Sequence, residues 1–157
     1  MRTELKRRVL NQIRSAFADV ALDEGIGLRQ GEGLDDYANA RTLAIYREQD
    51  EKRDWTAISA ADLDRYSNSL SFFDAEGMRF HLPAYLIADL EENLQSADIL
   101  FQLVHLDACQ RFEKLSAAQR AAVREFLLLR LSDPGREFVH PLIETALREY
   151  WVAPKAT

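Results

Sequence analysis

The sequence has little that would support a disulfide, a membrane span or a β-sheet. Its 157 residues include one cysteine, Cys109, so an internal disulfide is excluded and a reducing compartment is expected. No apolar run approaches the roughly 20 residues that a membrane-spanning helix needs. The charged start of the chain is not followed by the apolar stretch of a secretory signal. We therefore expect a cytoplasmic protein with no membrane partner.

Motifs of common enzymes and cofactor sites are also missing. The chain has no Gly-x-Ser-x-Gly, His-Glu-x-x-His or Cys-x-x-Cys, so nothing marks an activated nucleophile or a metal site. Four of the six glycines fall within residues 25–33, but their spacing matches no phosphate-binding motif, and Asp35 and Asp36 would repel phosphate. We predict a mobile loop at residues 25–33. No cofactor is expected; enzymatic activity is left open, with a non-catalytic role favoured.

Charge is distributed unevenly along the chain. Its net value is −6; residues 1–20 carry five basic and two acidic side chains, whereas residues 55–98 carry eight acidic and two basic ones. Nucleic-acid binding rests on clustered Lys and Arg, so nucleic acid is an unfavoured partner. The basic side chains at the start lie on the polar side of an amphipathic helix and are expected to be solvated.

Helical periodicity extends over most of the chain and predicts a single all-α domain over residues 1–157. The expected helices span 3–20, about 35–54, a short segment after Ser59, 83–92, 99–112, 116–131 and a last one from Pro141. Ser116 and Gln119 form a capping-box pattern. Residues 69–82 leave two alternatives open: a short hairpin, or a helical turn capped by Asp74.

His105, Cys109 and Glu113 recur every four residues on the predicted 99–112 helix and would share one face. A zinc site usually needs three or four protein ligands, and nothing in the sequence places His81 or His140 beside them. Packing of this face is favoured, and no metal is predicted.

Residues 69–86 hold the chain's main concentration of chemically versatile side chains. The polar ones supply the groups of general acid–base catalysis, and Trp55, Phe72 and Phe80 are candidate pocket walls. The favoured interpretation is structural. Asp74 caps a helix, Arg79 pairs with an acid, and the histidine and tyrosine of this segment form hydrogen bonds in the core. The candidate ligand- or partner-binding residues are Asp74, Glu76, Arg79, His81 and Tyr85.

Two blocks of this chain resemble a family of small, mostly bacterial proteins of unknown function. The first is an aromatic run in residues 70–86 that ends in Leu82-Pro83-Ala84-Tyr85. The second, in residues 112–127, has Leu115, Ser116 and Gln119 leading into Val123 and Phe126-Leu127. The resemblance covers about residues 50–130 and implies no activity, cofactor or catalytic residue, only that both blocks belong to one domain.

The leading functional hypothesis is a non-catalytic protein that binds another protein, as an immunity-like or regulatory partner whose acidic surface meets a basic target. The alternative is a small-molecule binder or acid–base enzyme that uses the His81 region. The apolar side chains of residues 99–112 and 137–151 leave two possibilities open, a core and a homo-oligomer interface.

Overall fold

Helices joined by short connections form the whole of the described fold. The computed structural model describes residues 2–152, without the side chains of residues 108 and 109. Its α-helices are α1 (Arg2–Ala16), α2 (Leu28–Asp35), α3 (Ala40–Gln49), α4 (Ala60–Arg65), α5 (Ala75–Leu90), α6 (Ile99–Val104), α7 (Ala117–Leu131) and α8 (His140–Glu149). Turns of 3₁₀ helix lie at Trp55–Ala57, Ser67–Ser71, Leu106–Phe112 and Glu137–Val139. The all-α prediction is confirmed.

Helix α5 is the centre of the domain. Eleven of its sixteen residues are buried, which is the expected state of a helix that is apolar on all sides. Helices α1, α4 and α6 contact α5, while α1 also packs along α7 and α8 packs on α6 and α7. None of the described helices combines the length and apolar character needed to cross a membrane.

The start of α5 decides between the two alternatives for residues 69–82. Asp74 is the N-cap: its Oδ1 accepts hydrogen bonds from the backbone N–H of Gly77 at 2.9 Å and of Ile26 at 3.0 Å. The helical alternative is therefore confirmed, and the hairpin is wrong. Pro83, predicted to begin a helix, instead lies inside α5, where its missing N–H leaves the Arg79 carbonyl without its usual helical donor.

Several other helix boundaries differ from the prediction. The predicted 35–54 helix is shorter at both ends, because only residues 40–49 form α3 and Asp35 is instead the last residue of α2. Asn39 caps α3 by accepting from Thr42 N–H at 2.9 Å. Helix α6 ends at Val104 rather than near residue 112. The Ser116–Gln119 capping box predicted for α7 is confirmed, and Ser59 and Asp98 are the N-caps of α4 and α6.

The loop predicted at residues 25–33 is wrong for residues 28–33, which belong to α2. Glycine is needed in this segment because other parts of the chain lie very close to its backbone. A Cβ on Gly31 would lie 2.7 Å from the Ser69 Cβ, and a Cβ on Gly25 would lie 2.6 Å from the Gly77 backbone nitrogen. These distances are too short for a side chain, so glycine allows this segment to pack directly on the centre of the fold.

Candidate functional site

The five predicted site residues are not gathered into one site. They all lie at the N-cap or in the first three turns of α5, but the helix turns them to different surroundings: Asp74, Glu76 and Arg79 reach the rim of the domain, whereas His81 and Tyr85 are fully enclosed by it.

His81 is a core residue. Its ring stacks on Phe73 with centroids 4.3 Å apart and meets Phe80 edge-on at 5.0 Å. Its Nδ1 lies 2.7 Å from the Gly77 carbonyl oxygen, which fixes the proton on Nδ1 in the neutral ring. Burial lowers the pKa of His81 to about 4. The enclosed, neutral ring has no route to a substrate in this structure, although its Nε2 has no hydrogen-bond partner among the described residues.

Tyr85 is also fixed within the core. Its hydroxyl donates a hydrogen bond to the Leu63 carbonyl at 2.9 Å, tying α5 to α4. Burial raises the pKa of Tyr85 above its ordinary value, so the phenol stays protonated and cannot act as a base.

The two charged residues of the set that follow Asp74 form separate ion pairs. Lys114 Nζ lies 2.8 Å from Glu76 Oε1, and Arg79 Nη2 lies 3.4 Å from Asp23 Oδ2. These pairs connect α5 to different parts of the chain. Glu76 and Arg79 therefore have no shared substrate position with His81.

The aromatic side chains proposed as pocket walls are likewise separated. Phe80 is completely buried beside His81, Phe72 is partly exposed, and Trp55 donates from Nε1 to the Phe17 carbonyl at 2.8 Å. Trp55 lies instead under a shallow groove of about 280 Å³ between α1, α4 and α5. The predicted pocket around His81 is not formed.

The helical face proposed for His105, Cys109 and Glu113 does not exist, because α6 ends before His105 and the chain continues as a 3₁₀ turn. His105 lies against the Phe101 ring, with centroids 3.7 Å apart. The side chain of Cys109 lies outside the described residues. Within the described part of the chain, no group of three or more His, Cys, Asp or Glu side chains is arranged to hold a metal ion.

Most of the acidic side chains in residues 55–98 serve the fold. Asp64 accepts hydrogen bonds from the backbone N–H groups of Gln95, Ser96 and Ala97 at 2.7–3.0 Å. Burial raises the pKa of Asp64, but these bonds outweigh it and the net shift is downward. Asp74 and Asp98 are helix caps. These carboxylates are therefore poorly available to a partner.

A cavity of about 430 Å³ lies beside a buried ion-pair cluster that includes Arg130. Arg130 donates from Nε and Nη2 to Asp89 Oδ2 at 3.0 and 2.8 Å and from Nη1 to Asp133 Oδ2 at 2.7 Å. Arg2 pairs with Asp133 from the other side. Because the charges are already mutually satisfied, the cluster acts to join α1, α5 and α7.

A smaller cavity of about 280 Å³ lies between α2, α3 and the end of α4. The guanidinium carbons of Arg29 and Arg65 each lie 5.4 Å from the centroid of the Tyr66 ring. Glu32 Oε1 accepts a hydrogen bond from Asn68 at 3.1 Å, while its Oε2 is shielded from solvent and has no partner in the described chain. The lining combines two bases, two acids and two phenols: Arg29, Glu32, Gly33, Asp36, Tyr46, Arg65 and Tyr66.

The connection between α2 and α3 presents Tyr37 to solvent. Tyr37 is 93% exposed and has φ = +57°, in the left-handed region. Helix α3 has no fully buried residue and its main contacts are with α2. We call residues 28–49 the α2–α3 hairpin.

The sequence does not point to this region, because the glycine spacing predicts a loop at residues 25–33. Arg29, Glu32 and Asp36 have the spacing of one helix face, and that signal is legible only once residues 28–35 are assigned as helix. The positions of Arg65 and Tyr66 beside them depend on tertiary packing and leave no local signal.

Comparison with known protein families gives one match. A model described as "Family of unknown function (DUF6714)" matches residues 5–155, so the relationship extends well beyond the 50–130 segment that carries the resemblance. Neither curated proteins nor solved structures gave a match.

Proposed function

Since the chain belongs to that family of unknown function, we propose on physical grounds that the protein acts without catalysis and binds another protein through the α2–α3 hairpin. The groups best suited to acid–base chemistry support this proposal by their surroundings. His81 is enclosed and neutral, the Tyr85 hydroxyl donates to a backbone carbonyl, and Glu76 and Arg79 pair with separate residues.

Tyr37 carries the proposal. A left-handed backbone costs a non-glycine residue roughly 1–2 kcal/mol, and at 93% exposure the Tyr37 ring gains little packing to offset that cost. The left-handed residue itself serves to end α2, since the following Ala38 N–H donates to the Gly33 carbonyl at 2.9 Å, but this does not require a large exposed ring. Tyrosine is enriched among the residues that dominate binding energy at protein interfaces, so a partner that covers this ring accounts for its exposure.

Helix α3 extends the surface next to Tyr37. Ile45 is 46% exposed, and its neighbour Ala44 is exposed as well. A helix that contributes no fully buried side chain to its own domain can be covered by a partner without disturbing the core. The apolar part of the proposed interface therefore consists of Tyr37, Ala44 and Ile45.

The proposed partner is a protein with a basic surface. The net charge of −6 favours approach of a basic molecule through long-range attraction. On the hairpin itself, Asp36 and Glu48 are exposed and lie outside the ion pairs of the described chain. The proposal includes an immunity-like or regulatory role in the cytoplasm, supported by the single cysteine, and a bacterial source, supported by the family resemblance.

Site-specific cross-linking tests this function. A photoreactive phenylalanine analogue at position 37 should form one dominant adduct in cells that express the protein, and the purified adduct partner should bind the full chain in isothermal titration. Ile45→Lys should weaken that binding at least tenfold, since a buried charge lacks a partner. Phe138→Ser, at another exposed aromatic, is the matched control and should bind normally.

Two outcomes would overturn the proposal. One is an adduct that consists only of a second copy of this chain. The other is a partner whose affinity is unchanged by Ile45→Lys and by Tyr37→Ser.

A further inference from the structure

The cavity between α2, α3 and Tyr66 combines unsatisfied groups of opposite charge. Neither the Arg29 nor the Arg65 guanidinium donates a hydrogen bond or forms a close ion pair within the described chain; both lie over the Tyr66 ring, and Arg29 also interacts electrostatically with Asp50. A guanidinium presents N–H donors in a fork that fits a carboxylate. The two arginines therefore lack an acceptor.

Glu32 lacks a hydrogen-bond donor, among the described residues, for one of its two carboxylate oxygens. One of its oxygens is held by Asn68, but Oε2 is shielded from solvent without a donor. Leaving a charged oxygen buried and unpaired is costly. Glu32 lines the cavity together with Asp36, so a cationic group there would meet a carboxylate whose own hydrogen bonds are incomplete.

Side-chain hydrogen bonds hold the starts of α2 and α4, two of the helices around the cavity. The Arg29 and Gln30 N–H groups at the start of α2 donate to Asp50 at 2.7 and 3.1 Å, and Arg65 is the last residue of α4, whose N-terminus Ser59 caps. A site on helices held in this way presents its groups in fixed positions. At about 280 Å³, the cavity lies just below the usual range of ligand sites, about 300–1,000 Å³, so it suits only a small ligand.

From these observations we propose that the cavity binds a small dipolar ligand with an ammonium group beside a carboxylate, the chemistry of a free α-amino acid. The ammonium group donates to Glu32, and the carboxylate accepts from Arg29 and Arg65. The rest of the ligand packs against the Tyr46 and Tyr66 rings. A simple cation would meet the two arginines, and a simple anion would meet Glu32 and Asp36, so both signs are required.

Titration of the full-length protein with matched probes tests this site. The common L-amino acids are first screened individually for a rise in Tm at ~10 mM, which detects millimolar binding. The best amino acid is then compared by isothermal titration with its amide, which lacks the carboxylate, and with the corresponding carboxylic acid, which lacks the ammonium group. We expect each analogue to bind at least tenfold more weakly.

Single substitutions separate the two halves of the site. Glu32→Gln and Arg65→Gln should each weaken binding of the amino acid at least tenfold, whereas Arg53→Gln, at an exposed arginine outside the cavity, should leave it unchanged. Circular dichroism verifies that each variant is folded.

The proposal is overturned if no amino acid binds, if the amide or the acid binds as tightly as the amino acid, or if Arg65→Gln has no effect. Because these titrations contain no protein partner, they are independent of the function proposed for Tyr37.

Discussion

Gly31 lies directly against Ser69, and this contact sets the distance between α2 and the centre of the domain. The Ser69 hydroxyl donates to the Leu28 carbonyl at 2.5 Å, and a Cβ on Gly31 would lie 2.7 Å from both Cβ and Oγ of Ser69. The two residues leave no space between the helix and the Ser67–Ser71 turn.

We expect Gly31→Ala to lower the free energy of unfolding by about 1–3 kcal/mol, the usual cost of overpacking. Ser69→Gly in the same chain should recover part of the loss, because it removes the atoms that the new methyl group meets. Urea unfolding of both single variants and the double variant gives the coupling energy. Additive effects would contradict the contact.

Tyr37 should be replaceable with a gain in stability. Tyr37→Gly and Tyr37→Ala both remove an exposed ring, but only glycine relieves the left-handed backbone. Thermal or urea unfolding should show the glycine variant to be about 1 kcal/mol more stable than the alanine variant. Equal stability of the two variants would mean that the backbone at this position is not strained.

His81 makes stability depend on pH. The unfolded histidine has a pKa near 6.5, while the buried one has a pKa of about 4. Between these values the unfolded chain binds a proton that the folded chain does not, so the free energy of unfolding falls as pH decreases from about 6.5 to about 4. The total loss is about 3 kcal/mol, with no further loss from this group at lower pH.

Comparison of the wild-type protein with His81→Gln over that pH range isolates this effect from the carboxylates common to both, including nearby Asp74. The stability difference between the two proteins should shift in favour of the variant on acidification. A pH-independent difference would show that His81 is protonated alike in both states.

Arg130 should be far more sensitive to substitution than its neighbour in the cluster. Arg130→Gln removes the charge that Asp89 and Asp133 share, and breaking a buried pair in this way costs about 3–5 kcal/mol. Arg2→Gln removes a half-exposed partner of the same Asp133 and should cost at most about 1 kcal/mol. Denaturant unfolding that ranks Arg2→Gln as the more damaging change would contradict this arrangement.

Several helix caps could be predicted because they depend on local side chains. Other helix boundaries could not, because they depend on tertiary contacts. The sequence indicates such a cap because the side chain accepts from a backbone N–H only three residues further on, as in Ser59, Asp98 and Ser116. Helix α2 was missed because its N-terminus is satisfied by Asp50, twenty residues away, and because glycine normally weakens a helix. Its glycines are explained only by what packs against them.

The functional residues, too, could be predicted from the sequence only in part. Composition identified the α5 segment as unusual, and its structural interpretation holds for Asp74, Arg79, His81 and Tyr85. The cavity residues come from α2, α3 and α4 with its following residue Tyr66, and no sequence window contains them together. Periodicity finds what shares a helix face, but it does not find which helices meet.

The packing of α1 along α7 has a consequence for synthesis. Arg2 bonds to Ser132, and Gln119 to the carbonyl of Ala16, so both ends of α1 await residues made more than a hundred positions later. A growing chain emerges from the ribosome N-terminus first. The apolar side chains of Val9, Ile13 and Phe17 therefore emerge long before α7, which packs along α1 in the finished fold, and they lack that cover while the chain is still being made.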